Sequence, residues 1–206
     1  TVYEALRKNP YAEILFNFAI RPCLFWSAKR PVSELGVNYK GERVYGPSLY
    51  GIFTSDYSIV DTEGSGKFWM PSWSSEIFRT DCMDMLKAAC EHIRKQPYGK
   101  VVIGTTFSGG DDGQFGSAFY DQSIAAKRFF GDFLVKKYKS IDLLNEVWKS
   151  NYTNFEEISP PERRVENWAL SHRPVGLESD YVSSKLTATY NFRDSLAAAF
   201  KEGMQK

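Results

Sequence analysis

Lys100-Val-Val-Ile-Gly-Thr-Thr-Phe107 runs directly into Ser108-Gly-Gly-Asp-Asp-Gly-Gln-Phe-Gly116. The first part is short, rich in β-branched residues and lacks polar alternation. That pattern predicts a strand buried on both faces, as in a parallel sheet. The second part is a glycine-rich loop at the strand's C-terminal end. In β/α barrels the loops that leave that end carry the chemistry.

Upstream, Ser74 or Ser75 is placed to cap a helix, with Glu76 favourable at its N-terminal dipole. Cys82, Met85, Leu86, Ala89, Cys90 and Ile93 recur at helical spacing and are expected to form its buried stripe. Pro97-Tyr-Gly99 ends that helix. Ala12-Glu-Ile-Leu-Phe-Asn-Phe-Ala-Ile20 reads as another buried strand, preceded by the end of a helix over Val2 to Lys8 that Asn9-Pro10 stops. The stretch between, residues 21–72, shows no lasting periodicity and holds many Gly, Tyr and Ser residues. It is expected to be a long βα loop with small hairpins, for example around Asn38-Tyr-Lys-Gly41.

Downstream, a helix is expected over Asp121 to Tyr138, with Ala126, Phe129, Phe130, Phe133, Leu134 and Tyr138 inward. Ser140 caps a short helix from Ile141 to Lys149. A last helix is expected over about Tyr181 to Glu202, with Val182, Leu186, Tyr190 and Leu196 in the core. Repeated β-loop-α units imply parallel strands with crossover helices. The fold class is therefore α/β, with 1–206 a single domain. Two strands alone cannot close a barrel or make a stable open sheet, so either further strands lie in the long loop or the chain is an incomplete portion of a barrel.

Composition narrows the function. The chain has 206 residues, a hydrophobic fraction of 43% and a net charge of +1 without a basic face, so nucleic acid is not an expected partner. No apolar run approaches the ~20 residues of a membrane span. Cys23, Cys82 and Cys90 form no disulfide framework, and the latter two read as small core residues. His92 and His172 have no zinc spacing, and neither a phosphate-binding glycine loop nor a nucleophile elbow occurs, so no metal or cofactor is expected. Asn151-Tyr-Thr153 matches a glycosylation sequon, a pattern that arises often by chance.

Candidate site residues follow from the two strand ends. Arg21, Pro22, Phe25 and Trp26 follow the first strand. Asp111, Asp112 and Gln114 follow the second, and Trp69 and Trp73 precede a helix. Carboxylates and amides grip sugar hydroxyls, and flat rings pack on sugar C–H faces. The aromatic fraction of 16% is high enough for both core and binding roles. Gly109-Gly-Asp-Asp-Gly113 is equally readable as a plain turn. A calcium loop is disfavoured because regularly alternating ligands are missing. Trp26, Trp69 and Trp73 are also readable as core.

Phe129-Phe-Gly-Asp-Phe-Leu-Val-Lys-Lys-Tyr-Lys-Ser-Ile-Asp-Leu-Leu-Asn-Glu-Val-Trp148 resembles the FRxWLxxKYGxxxxLNxAW stretch of family 42-type β-galactosidases. Asn154-Phe-Glu-Glu-Ile-Ser-Pro-Pro161 is similar to its continuation, Pro97-Tyr-Gly-Lys-Val-Val-Ile-Gly104 to a strand entry of that family, and Pro71-Ser-Trp-Ser-Ser75 also fits. The resemblance implies a TIM-barrel-type glycosidase domain of the retaining kind, acting on a β-linked carbohydrate without a cofactor. It implies two carboxylates, an acid/base and a nucleophile, ~5 Å apart across the bond. Val101–Phe107 matches the family's fourth strand, which the acid/base glutamate follows, usually after Asn. Here no Asn-Glu pair occurs, and Gln114 stands at that position, with Asp112 the substitute carboxylate and Asp111, Arg21, Trp26, Trp69 and Trp73 as binding residues. The family's nucleophile belongs to a later strand and is expected to lie outside this sequence. Two readings stay open: a β-galactosidase-like hydrolase, and a carbohydrate-binding or scaffold protein derived from such a barrel. The remainder of a barrel and a second copy of the chain are the expected protein partners.

Overall fold

The computed structural model describes residues 2–19, 30–38, 40–43, 45–46, 68–108, 120–162 and 176–205. Its elements in chain order are α1 (Val2–Lys8), β1 (Ile14–Ala19), β2 (Tyr45–Gly46), β3 (Phe68–Trp69), α2 (Glu76–Lys95), β4 (Val102–Ser108), α3 (Ile124–Tyr138), α4 (Ile141–Trp148) and α5 (Leu177–Met204). The residues fall into two compact units. One holds Thr1–Arg21, Arg79–Phe115 and Asn191–Lys206, and the other holds Pro22–Phe78 and Gly116–Tyr190.

In the first unit β1 and β4 pair in parallel, with Asn17 opposite Thr106, Phe18 opposite Phe107 and Ala19 opposite Ser108. Both expected strands are present, and they run in the expected relative direction. Phe18 stacks on Phe107 at 6.4 Å between ring centroids, and Phe107 meets Phe200 of α5 edge-on at 6.5 Å. The Thr105 hydroxyl donates to the Phe16 carbonyl at 3.1 Å, a further tie between the strands. α2 buries Cys82, Leu86, Cys90 and Ile93, one stripe at three- and four-residue spacing. Met85, expected in that stripe, is 53% exposed. It sits next to Leu86, so it points about 100° round the helix from the buried line. After α2 a 3-10 turn, Pro97–Val101, leads into β4. A Cβ at Gly99 would stand 2.7 Å from the Ile93 carbonyl oxygen, so only glycine fits this reversal.

The second unit is built on α3, whose buried residues Ala126, Phe130, Leu134 and Tyr138 recur every four positions. Phe130, Leu134 and Tyr138 form a hydrophobic cluster with Leu144, Ile158 and Tyr181. Ser123 caps α3 by accepting from the Ala126 N–H at 3.1 Å, and Ser140 caps α4 by accepting from the Leu143 N–H at 3.3 Å. The buried Asp180 carboxylate joins three segments. It accepts from the Tyr138 hydroxyl at 2.5 Å, from the Trp148 indole N–H at 3.2 Å and from Lys137. The block Phe129–Trp148 is thus a helix pair closed round one buried acid.

Within the stretch expected to be a long loop, β2 and β3 pair antiparallel, and Leu35 bridges Pro71. The expected turn at Asn38–Gly41 is present. The Asn38 Oδ1 accepts from the N–H groups of Lys40 (2.9 Å) and Glu42 (3.0 Å), and Gly41 takes a φ of +80°, which favours glycine.

α5 differs most from expectation. Of the four residues expected in its core, Leu196 is fully buried. Leu186 and Tyr190 are 52% and 56% exposed, and Val182 is also exposed. The buried line instead runs Tyr181, Ser184, Ala188, Phe192, Leu196, Ala199. Small residues let the helix approach closely: a Cβ at Gly203 would lie 2.6 Å from the Cys90 Cβ. Leu196→Ala is therefore expected to cost about 2–5 kcal/mol in urea unfolding. Leu186→Ala should cost less than about 1 kcal/mol. Equal costs would contradict this helix phase.

Candidate functional site

The parallel register brings the C-terminal ends of β1 and β4 together, with Ala19 beside Ser108. Arg21 and Trp26 follow β1 along the chain, and Asp111, Asp112 and Gln114 follow β4. These five candidates, with Cys23 and His172, lie outside the described residues. The Trp69 backbone pairs with Tyr45 in the short antiparallel sheet. Trp73 is 9% exposed and sets its ring edge-on to Phe78 at 5.8 Å, which places it in the core of its unit.

The described residues show a second convergence, centred on Asp121. Its Oδ1 accepts from the backbone N–H of Val37 at 3.1 Å and of Ser123 at 2.9 Å. The Ser72 hydroxyl also bonds this carboxylate. The Tyr181 hydroxyl accepts from the Asp121 N–H at 2.8 Å and donates to the Asp121 carbonyl at 3.1 Å. The next residue continues the junction, since the Gln122 N–H donates to the Val37 carbonyl at 2.7 Å. Sequence reading placed Asp121 only as the start of a helix. The Asp-x-Ser spacing before α3 is an Asx-turn signal, but nothing local points to Val37 or Tyr181.

Beside this junction lies a recess lined by Trp73, Ser74, Asp121, Tyr181 and Lys185, among others, with a cavity volume of about 20 Å³. That is room for about one water and too little for a sugar ring. Lys185 sets its ammonium over the rings of Tyr120 (5.3 Å) and Tyr181 (5.9 Å). Nearby, the buried Glu34 accepts from the Ser75 hydroxyl at 2.5 Å, and Ser75 accepts from the Phe78 N–H at 3.0 Å, capping α2. Arg128 reaches the same glutamate at 3.8 Å. Among the described residues no cluster of three or more His, Cys, Asp or Glu side chains forms a metal site.

Burial pushes the Asp121 carboxyl above its usual range, and the hydrogen bonds from Ser72, Ser123 and Val37 offset this only in part. Burial, then the Asp121 charge, likewise raises the Tyr181 phenol. The sign for stability follows. An acid with a raised native pKa binds its proton more readily when folded, so its contribution falls as pH rises from the ordinary value of 3.8 toward the native one. Asp121→Asn removes this dependence. The stability gap, wild type minus variant, should shrink as unfolding midpoints are followed from about pH 4 to about pH 8. A gap that grows with pH would show that the ionised carboxylate is the favoured form.

The known proteins this chain resembles agree with its architecture. The glycoside hydrolase family 42 β-galactosidase model matches residues 60–203. A β-galactosidase of Bifidobacterium bifidum is 30% identical over 103 residues, covering 48% of this chain and 14% of that protein. The solved β-galactosidase of the Antarctic haloarchaeon Halorubrum lacusprofundi superposes with a TM-score of 0.66 at 18% identity, over 98% of this chain and 27% of that one. The catalytic domain of a Paenibacillus polymyxa β-amylase gives 0.67 at 14% identity, over 98% of this chain and 50% of that domain. The chain thus spans a small part of the β-galactosidases it matches, and its fold is that of a portion of a TIM-barrel glycosidase. With the family model matched over more than half of its residues, the chain belongs to glycoside hydrolase family 42, the β-galactosidase family.

Proposed function

We propose that the protein acts on a β-linked galactoside, and that the segments following β1 and β4 face the scissile bond. The parallel pairing that sets Ala19 beside Ser108 carries this reading. It starts both segments from one edge of the sheet, the edge on which β/α barrels build their sites. In this proposal Asp111, Arg21 and Trp26 hold the sugar, and Asp112 and Gln114 stand at the leaving-group oxygen. Trp73 is left to the core because its ring is almost wholly covered.

The residue at position 114 decides how far the chemistry runs. A carboxylic acid there protonates the leaving oxygen, whereas an amide holds no transferable proton at neutral pH. Gln114 therefore favours a second reading, a protein that binds the sugar without cleaving it. In the cleaving case Asp112 supplies the proton over a shorter reach. The nucleophile comes from a later strand, as the family pattern implies.

The full-length protein is the material for the test, with an aryl β-galactoside as substrate and galactose binding measured by calorimetry. Gln114→Glu is expected to raise the hydrolysis rate by about 10²–10⁴-fold, the usual worth of a positioned general acid. Asp112→Asn should abolish any residual wild-type turnover. Unchanged rates in both variants, with normal folding, would remove this segment from the scissile bond. Galactose binding without hydrolysis in the wild type selects the second reading. Absence of both activities rejects the proposal.

A further inference from the structure

The recess beside Asp121 belongs wholly to the second unit, and three segments of the chain build its wall. Ser74 comes from the turn before α2 and Asp121 from the turn before α3, while Tyr181, Lys185, Ala188 and Thr189 lie along α5. Its cavity volume of about 20 Å³ exceeds the roughly 10–15 Å³ that one water requires and is too small for a phosphate or a hydrated metal ion. Charge on the wall narrows the occupant further. A bare anion would meet the Asp121 carboxylate, and a bare cation would meet the Lys185 ammonium, held over the Tyr120 and Tyr181 rings. A small neutral molecule that both donates and accepts hydrogen bonds meets neither repulsion. The wall offers it both kinds of partner. The Asp121 carboxylate accepts, and Lys185 donates. The Thr189 hydroxyl gives its proton to the Lys185 carbonyl at 3.0 Å, which leaves its oxygen able to accept. The Tyr181 hydroxyl is already committed, since it accepts from the Asp121 N–H at 2.8 Å and donates to the Asp121 carbonyl at 3.1 Å.

We infer that this recess is a binding site for one internal water, which donates to the Asp121 carboxylate and the Thr189 hydroxyl oxygen and accepts from Lys185. The water joins α5 to the segment before α3, beside the direct bonds that Tyr181 makes. It also bears on the charge of a side chain that is only 6% exposed. Burial penalises the ionised carboxyl, and every donor aimed at it offsets part of that penalty. Ser72, Ser123 and Val37 supply such donors from one side, and the water supplies one from the side of α5. The titratable groups that face the carboxylate are Tyr181 and Lys185. The inference is independent of the function proposed above, because every residue in it belongs to the wall of one recess in one unit.

The test uses crystals of the full-length protein that diffract well enough to show ordered water, together with the titration of the Asp121 carboxyl followed by carbon-13 NMR. The wild type should show one water in the recess, about 2.7–3.2 Å from an Asp121 carboxylate oxygen and within the same reach of Lys185 or Thr189. Ala188→Val places two methyl groups where Ala188 lines the recess, and it should displace that water. The Asp121 titration should then move to higher pH, because the ionised form loses a donor. Thr189→Val is the milder variant and covers the case in which Ala188→Val does not fold. It removes one partner of the water and should lower its occupancy, again with an upward move of the titration. A dry recess in the wild type, or an ion in place of the water, overturns the inference. So does a titration that stays in place in a folded variant that has lost the water, since the water would then not bond the carboxylate.

Discussion

The parallel pairing of Ile14–Ala19 with Val102–Ser108 constrains everything else. Strands that run in the same direction cannot be joined by a tight turn, so the chain must return along its length before the second strand begins. The twenty-residue α2 makes that return, and the Pro97–Val101 turn aims the chain into β4. The same constraint sends both outgoing connections from one edge. A shift of one residue in the pairing would turn Phe18 and Phe107 to opposite faces. It would also break the stack that continues to Phe200.

The second unit meets a different difficulty. Irregular backbone brought together away from water must still satisfy its N–H and carbonyl groups. Asp121 does this for two backbone N–H groups, while two other buried acids, Glu34 and Asp180, take side-chain donors. Glu34 holds the Ser75 cap, Asp121 holds Val37 and Ser123, and Asp180 holds Tyr138 and Trp148. A buried acid is costly unless donors surround it, and each of these three has them. For Asp121 the burial still dominates, which is why its carboxyl is pushed upward. The acids therefore fix which segments meet, and the apolar cluster round Phe130 and Leu134 supplies the cohesion.

These two kinds of interaction differ in how openly the sequence displays them. The β4 run, the α3 stripe and the Ser140 cap are local patterns, and their elements stand within a few residues of the expected places. The α5 phase is not local. Leu186 and Tyr190 are the larger apolar residues, yet Ser184, Ala188 and Ala199 are buried. At the C-terminal end of α5 the close approach of Gly203 to Cys90 leaves no room for a side chain, and that approach exists only once Cys90 is in place. Asp121 was hidden for the same reason. An Asp before a helix reads as a cap, and only the assembled unit brings Val37 and Tyr181 to it. At the strand ends the sequence offers candidate residues of suitable chemistry, but the pairing of Ala19 with Ser108 had to come from the fold.

The segment that most resembles the family, Phe129–Trp148, turns out to consist of packing residues and helix caps. Phe130, Leu134 and Leu144 are fully buried, Ser140 caps α4, and Tyr138 and Trp148 meet at Asp180. None of these needs a sugar to explain it. In this segment the likeness to the family is therefore recorded in residues that hold the barrel portion together. A scaffold under one set of constraints can persist when the other set changes, because a fold hosts chemistry without requiring it. Proton transfer by a general acid and the packing of α3, α4 and α5 are separate demands of this kind, because the first asks for an ionisable group at one place and the second for apolar volume at many.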